Sequence, residues 1–194
     1  MLRLRSLGLV VLGAALALVA VGVVALARGL LPDPKTRAYE TGQFAFDYPA
    51  EWRPIEGVEF PIAEQAGQST VGDHTVGLDI DNWATVFTQA VPFEVTPRNV
   101  SDLVRPAREV QDETFRPAGA RILQEAYAVR EAGAPGIRVR VAFKSPRGVP
   151  VEAEVTTLYH GRTSYTVSCQ NRPQRATEMA EGCERVVETL RPRP

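Results

Sequence analysis

The chain has few of the side chains that build metal and catalytic sites: its 194 residues include two cysteines and two histidines. A metal site needs several ligands that converge on one point, and one imidazole, His74, lies near acidic residues, with Asp73 before it and Asp79 and Asp81 after it. A Ser-His-Asp site would have to use His74 or His160, and neither accompanies a Gly-x-Ser-x-Gly motif. Glycine-rich phosphate loops are also absent. We therefore expect no metal, no cofactor and no catalytic residues.

Lysine is scarce as well, because 20 of the 22 basic residues are arginine. This bias is typical of proteins encoded by GC-rich bacterial genomes. Without residues 1–27, 20 basic and 23 acidic residues leave a net charge of −3. A nucleic-acid-binding protein is expected to have a strongly basic face, so this balance argues against a nucleic-acid partner.

Acidic residues are missing from the first 32 positions, and residues 7–27 carry no charge at all. About 20 apolar residues are enough for a helix to cross a bilayer. Arg3 and Arg5 precede this run, and basic flanks stay in the cytoplasm. We predict a cytoplasmic N-terminus at 1–6, a transmembrane signal anchor in the lipid bilayer at 7–27, and an extracellular remainder. Because Ala25-Leu26-Ala27 has the form that signal peptidase accepts, the alternative is a protein secreted after cleavage following Ala27.

Residues 28–42 contain prolines and charges but no apolar periodicity, which predicts a tether. A folded domain is predicted at 43–191, long enough to bury a core. Phe44, Phe46 and Tyr48 alternate with other residues and predict a half-buried strand.

Alternating apolar residues predict further strands near 76–80, 84–90, 121–130, 137–144, 151–159 and 165–169. A helical stripe runs from Val100 to Val110 and contains Pro106. Proline removes a helical hydrogen bond, so either the helix kinks there or two short helices meet. A second amphipathic helix is predicted at 176–190.

Two hairpins are predicted in the C-terminal half. In the first, Lys144 faces Glu152, Arg140 lies diagonal to Glu154, and the charged face is exposed to solvent. In the second, a three-residue loop at 160–162 keeps the apolar residues of both strands on one face.

Cys183 falls on the buried stripe of the last helix, and Cys169 belongs to the inward set of the last strand. Outside the membrane, where disulfides persist, the two sulfurs are expected to form a disulfide. Such a bond would stabilise the domain by about 3 kcal/mol.

The segment Phe44-x-Phe46-Asp47-Tyr48-Pro49-Ala50-Glu51-Trp52 resembles the opening strand and turn of PsbP/Mog1-like domains. These domains also end in strands followed by a helix, and exported bacterial members often carry a cysteine pair there. The resemblance implies an α+β fold, an α/β/α sandwich around a mainly antiparallel sheet, here preceded by one transmembrane helix. Known members are assembly or binding factors, namely a photosystem II extrinsic subunit and a small-GTPase-binding protein, and neither partner is implied for this chain.

These features together predict a non-catalytic, membrane-tethered extracytoplasmic binding or scaffolding domain of the bacterial envelope, whose partner is an envelope protein or ligand. Binding would use one sheet face or the 56–77 loop region. The candidate surface residues are Trp52, Asp73, His74 and Trp83. The alternative is a secreted hydrolase or carbohydrate-active enzyme that uses carboxylates, for which Glu152 and Glu154 are the nearest candidates.

Overall fold

A computed structural model describes residues 35–56, 58 and 74–193. The predicted cytoplasmic segment, transmembrane helix and start of the tether therefore lie outside the described residues. None of the described helices has the length and apolar character that a membrane span requires.

In chain order the strands are β1 (Thr36–Glu40), β2 (Phe44–Pro49), β3 (Arg53–Pro54), β4 (Thr75–Asp79), β5 (Asn82–Val95), β6 (Arg121–Glu131), β7 (Ala134–Lys144), β8 (Pro150–Asn171) and β9 (Arg191–Pro192).

Two α-helices, α1 (Val104–Val110) and α2 (Ala176–Thr189), accompany the strands. A 3₁₀ turn (Val100–Leu103) precedes α1 and a π turn (Gln111–Phe115) follows it. Pro106 is the third residue of α1, where a backbone N–H would lack a helical partner in any case. Of the two arrangements predicted around Pro106, the structure therefore has two short helical segments that meet.

The strands form two sheets with antiparallel pairing, a small one in the order β1-β2-β9 and a large one in the order β3-β4-β5-β8-β7-β6. β1 corrects the predicted tether, because residues 36–40 pair along their length with β2. Tyr39 opposes Phe46, and their rings stack with centroids 5.1 Å apart. β1 is an edge strand in which three of five residues, Arg37, Ala38 and Glu40, are exposed, which is why it shows no apolar alternation.

The second predicted hairpin lies within β8. The hydroxyl oxygens of Thr157 and Thr166 are 3.0 Å apart, whereas nine residues of straight strand would separate them by about 30 Å. The chain therefore turns back near Gly161, which has a φ of +64°. The first half of β8 pairs with β7 and the second half with β5.

The predicted register of this hairpin is wrong. A three-residue loop would put Thr157 and Thr166 on opposite faces, but their hydroxyls touch. A turn centred on Gly161 and Arg162 accounts for the contact. It also sends Leu158 to the face that carries Tyr165 and Val167. The prediction assumed that only one face of the sheet is buried, whereas both faces of the large sheet are buried.

The other hairpin has the predicted faces but a register shifted by two residues. Arg140 lies directly opposite Glu154, and Lys144 opposes Pro150 instead of Glu152. The amide of Ser145 donates to the carbonyl of Val149 at 2.9 Å, which closes a shorter loop than predicted. A shift of two leaves every side chain on its face.

Successive side chains of a strand point to opposite faces of the large sheet, and both faces are buried. On one face of the large sheet, the small sheet and α2 cover a core that includes Phe44, Phe46, Val86, Val167 and Val186. On the other face, the 100–115 segment covers two apolar clusters, one built around Trp83 and Val141, the other around Val100 and Ile137. The described residues thus confirm the predicted mixture of helices and antiparallel sheet, with a helix on each face.

Candidate binding groove

The two tryptophans predicted as binding residues are core residues. Trp52 is 1% exposed and Trp83 is fully buried. Trp52 lies against α2 at Gly182, while Trp83 packs with Phe115 and Val139 on the α1 side of the sheet. The register of β4 and β5 shifts beside Trp83, and the Trp83 ring lies in the core. Neither indole is available to a ligand.

His74 is half-buried, and its side chain contacts Tyr39 and Phe44. Its Nδ1 lies 3.0 Å from the hydroxyl oxygen of Tyr39, and its ring meets that of Phe44 edge-on at 5.2 Å. Asp73 lies outside the described residues. Among the residues that are described, no group of three or more His, Cys, Asp or Glu side chains could hold a metal ion.

Asp79 and Asp81, the other acidic residues near His74, lie at the tight turn between β4 and β5. Partial burial by itself would raise the pKa of Asp79, but hydrogen bonds from the Asp81 amide and the Asn82 side chain, with Arg172 nearby, hold that pKa below its usual value. The Asp81 side chain is 1% exposed and forms ion pairs with Arg147 and Arg172. Asp81 thereby joins three chain segments. This cluster around the buried Asp81 was not predicted, because its members are up to 91 residues apart.

Cys169 and Cys183 form the predicted disulfide, with Cα atoms 6.1 Å apart. It links the second half of β8 to α2. Both residues are more than 90% buried. The bond therefore holds α2 at a set position over the sheet.

Beside this disulfide, α2 and the large sheet enclose a groove of about 830 Å³. Its sheet wall consists of the charged faces of β6, β7 and the first half of β8. Its helix wall is one side of α2. The sheet wall contains four residues whose alternation predicted an exposed, charged face, Arg138, Arg140, Glu152 and Glu154, and in addition Arg130 and Glu131.

The charges of the sheet wall are largely paired. Arg138 lies 2.5 Å from a carboxylate oxygen of Glu131 and 3.4 Å from one of Glu154. Arg140 lies 3.4 Å from Glu152 and 4.0 Å from Glu154. All three carboxylates of this wall therefore have an arginine within 4.0 Å. Arg138 and Arg140 thus hold all three carboxylates in ion pairs. Arg130 is exposed and in no ion pair among the described residues, and its charge brings the net charge of the wall to zero.

The helix wall differs in character. Met179, Cys183 and Val187 supply an apolar floor, and small alanines leave space above it. Glu184 and Glu188 stand at its edge and are exposed. Within the described part of the chain neither has a basic side chain within ion-pairing distance. The excess negative charge of the groove, −2, therefore belongs to α2.

Binding on one sheet face stays a prediction, and the groove lies on the charged face that the sequence predicted to be exposed to solvent. The helix wall was missed, because the outer residues of an amphipathic helix normally contact solvent alone. The available signal was the pair of small residues Ala176 and Ala180 next to the buried stripe, because their short side chains leave space on one side of the helix.

Comparison with known proteins identifies the fold. No protein-family model matches the chain, and no curated protein matches it either. The solution structure of cyanobacterial PsbP (CyanoP) from Synechocystis sp. PCC 6803 superposes with a TM-score of 0.54 at 13% identity, covering 84% of this chain and 95% of that one. The chain therefore has a PsbP-like fold, as the resemblance of residues 44–52 implied.

Two more distant structures are also similar. A Bacteroides thetaiotaomicron protein gives a TM-score of 0.49 at 14% identity, covering 82% of this chain and 49% of that one. LpqN of Mycobacterium tuberculosis, described as involved in cell envelope biogenesis, gives 0.46 at 10% identity, covering 84% and 87%. At these scores the similarity supports no argument about function.

Proposed function

We propose that the chain is a non-catalytic, membrane-tethered extracytoplasmic binding or scaffolding domain of the bacterial envelope, and that the groove beside α2 is its binding site. The observation that carries this proposal is the groove itself. Its volume of about 830 Å³ is within the range of known ligand sites. Its sheet carboxylates are held by Arg138 and Arg140, which suits recognition better than proton transfer.

The disulfide and the N-terminal sequence support the location. A disulfide between Cys169 and Cys183 persists in oxidising compartments outside the cytoplasm. The apolar run at 7–27 supplies the export signal and the tether.

Site-specific photocross-linking in intact cells of the source organism tests the binding site. A benzophenone side chain replaces Ala180, which is exposed and lines the groove. The matched control replaces Glu109 on α1, which is 60% exposed and lies on the opposite side of the large sheet. We expect a discrete cross-linked product from position 180 alone. No product from position 180, or the same product from both positions, would contradict the proposal.

The tether is tested on the same full-length protein. We expect it in the membrane fraction, digestible by protease added outside the cell, and N-terminal sequencing to begin at Met1 or its neighbour. A first residue of Arg28 would mean that the anchor is cleaved and the domain is secreted.

A further inference from the structure

We infer that the groove binds a basic, partly aliphatic polypeptide segment in extended conformation, whose cationic side chains pair with Glu184 and Glu188. This inference rests on the proposed function, because it names the ligand class of the same groove. It follows from three properties of the walls: where their charge is unmatched, how that charge is spaced, and which side chains are missing from them.

The unmatched charge selects a cationic ligand. The sheet wall has no net charge, because Arg138 and Arg140 pair with its three carboxylates and the exposed Arg130 supplies the third positive charge. On the helix wall, none of the ion pairs found within 4.0 Å among the described residues involves Glu184 or Glu188. A cationic side chain that enters the groove therefore finds carboxylates without displacing an existing ion pair. An anionic ligand would meet a net charge of −2.

The spacing of these carboxylates favours an extended peptide. Residues four apart on a helix have Cβ atoms about 5–6 Å apart, which applies to Glu184 and Glu188. In an extended chain, residues i and i+2 point to the same side and are about 6.5 Å apart. Two basic residues separated by one residue thus match the two glutamates. The intervening side chain points to the other side of the peptide.

The composition of the walls argues against a small molecule. Pockets for small molecules are lined mainly by hydrophobic and aromatic side chains, and the described lining contains no aromatic residue. Met179, Val187 and the disulfide offer an apolar floor of modest area instead. Aliphatic side chains of a peptide can bury surface there while its basic residues remain at the rim.

A peptide selection tests the inference. Full-length protein in detergent micelles is exposed to a phage-displayed random heptapeptide library, with counter-selection on the double variant Glu184→Gln and Glu188→Gln. We expect enrichment of peptides with Lys or Arg two positions apart and aliphatic residues beside them. Enrichment of acidic or uncharged peptides, or none over the counter-selected protein, would overturn the inference.

The affinity of the best selected peptide supplies the matched control. Its Kd, measured by fluorescence anisotropy, is expected to rise about tenfold in the groove variant. The control variant Glu178→Gln and Glu181→Gln removes the same charge from the outer side of α2, and we expect less than about a twofold change. Equal effects of the two variants would mean that the peptide responds to net charge alone, which would overturn the site assignment.

Two further outcomes separate the inference from the proposed function. If position 180 gives a cross-linked partner but no basic peptide binds, the ligand class is wrong and the binding site remains. If basic peptides bind but position 180 gives no cross-link, the proposed function is wrong and the groove chemistry remains. A dimer that forms with rising concentration and dissociates in the groove variant would make a second copy the occupant and overturn the inference.

Discussion

Trp52 lies so close to Gly182 that a Cβ atom at position 182 would come within 2.6 Å of Cη2 of the indole. Trp52 follows the turn after β2, and Gly182 is in the middle of α2. The contact therefore holds the helix against the small sheet at one point, while the disulfide holds the same helix against β8.

Gly182→Ala is expected to destabilise the domain by about 1–3 kcal/mol. Alanine favours helices over glycine by about 0.5–1 kcal/mol, so the clash with the indole must outweigh this gain. Urea unfolding of the variant measures the difference. Glu181→Ala, at the neighbouring exposed position, should change stability by less than about 0.5 kcal/mol. A Gly182→Ala protein more stable than wild type would show that the helix can move away from Trp52.

Asp81→Asn is expected to destabilise the domain by about 1–3 kcal/mol. Removing one partner from a fully buried ion pair costs about 3–5 kcal/mol. Arg147 and Arg172 are 50% and 44% exposed, so water screens part of this effect. Asp112→Asn is the control, since its pair with Arg116 is on the surface and its loss should cost at most about 1 kcal/mol. Equal denaturation midpoints for the two variants would refute a special role for Asp81.

Removal of the disulfide is expected to lower the free energy of unfolding by about 3 kcal/mol. The double variant Cys169→Ala and Cys183→Ala measures this effect by urea denaturation. Wild-type protein should lose a similar amount when dithiothreitol is present, whereas the variant should be insensitive to it. Because both cysteines are oxidised, alkylation without reductant should label neither, and labelled wild-type protein would contradict the bond.

His160 is expected to make the domain less stable as the pH falls below about 6.5. Burial lowers the pKa of His160, and its Nε2 is buried without a described hydrogen-bond partner. The unfolded chain therefore takes up a proton at a higher pH than the folded protein, and between the two pKa values stability decreases with decreasing pH.

His160→Phe removes this group and keeps a ring that can meet Tyr165 edge-on, as the imidazole does at 5.4 Å. Thermal unfolding between about pH 7 and pH 5 should show a shallower loss of stability in the variant. The same slope in both proteins would show that another group causes the pH dependence.

The sequence predicted those elements whose signal is local. The alternation of Phe44, Phe46 and Tyr48 predicted β2, and the spacing of Met179, Cys183 and Val186 predicted the buried stripe of α2. These patterns depend only on the period of the backbone. β1 was missed because an edge strand can satisfy its backbone with few apolar side chains.

The candidate site was predictable only in part. The charged face of β7 and β8 could be read from the alternation of Arg138, Arg140, Glu152 and Glu154. That this face forms one wall of a groove depends on where α2 packs. Trp83 shows the same limit, because it was predicted as a surface residue of the binding site and its ring is fully buried.

By itself, the sequence determined the periodicity of most strands, the composition of α2 and the pairing of Cys169 with Cys183. It also indicated that the charged residues of β7 and β8 share one face, although the register between the two strands is shifted by two residues. Only the tertiary structure decided that both faces of the large sheet are buried, which reversed the expected relation of Thr157 and Thr166. It likewise decided that Asp81 meets Arg147 and Arg172. The physical reason is that backbone periodicity says which residues share a face, whereas only packing between distant segments says what covers that face.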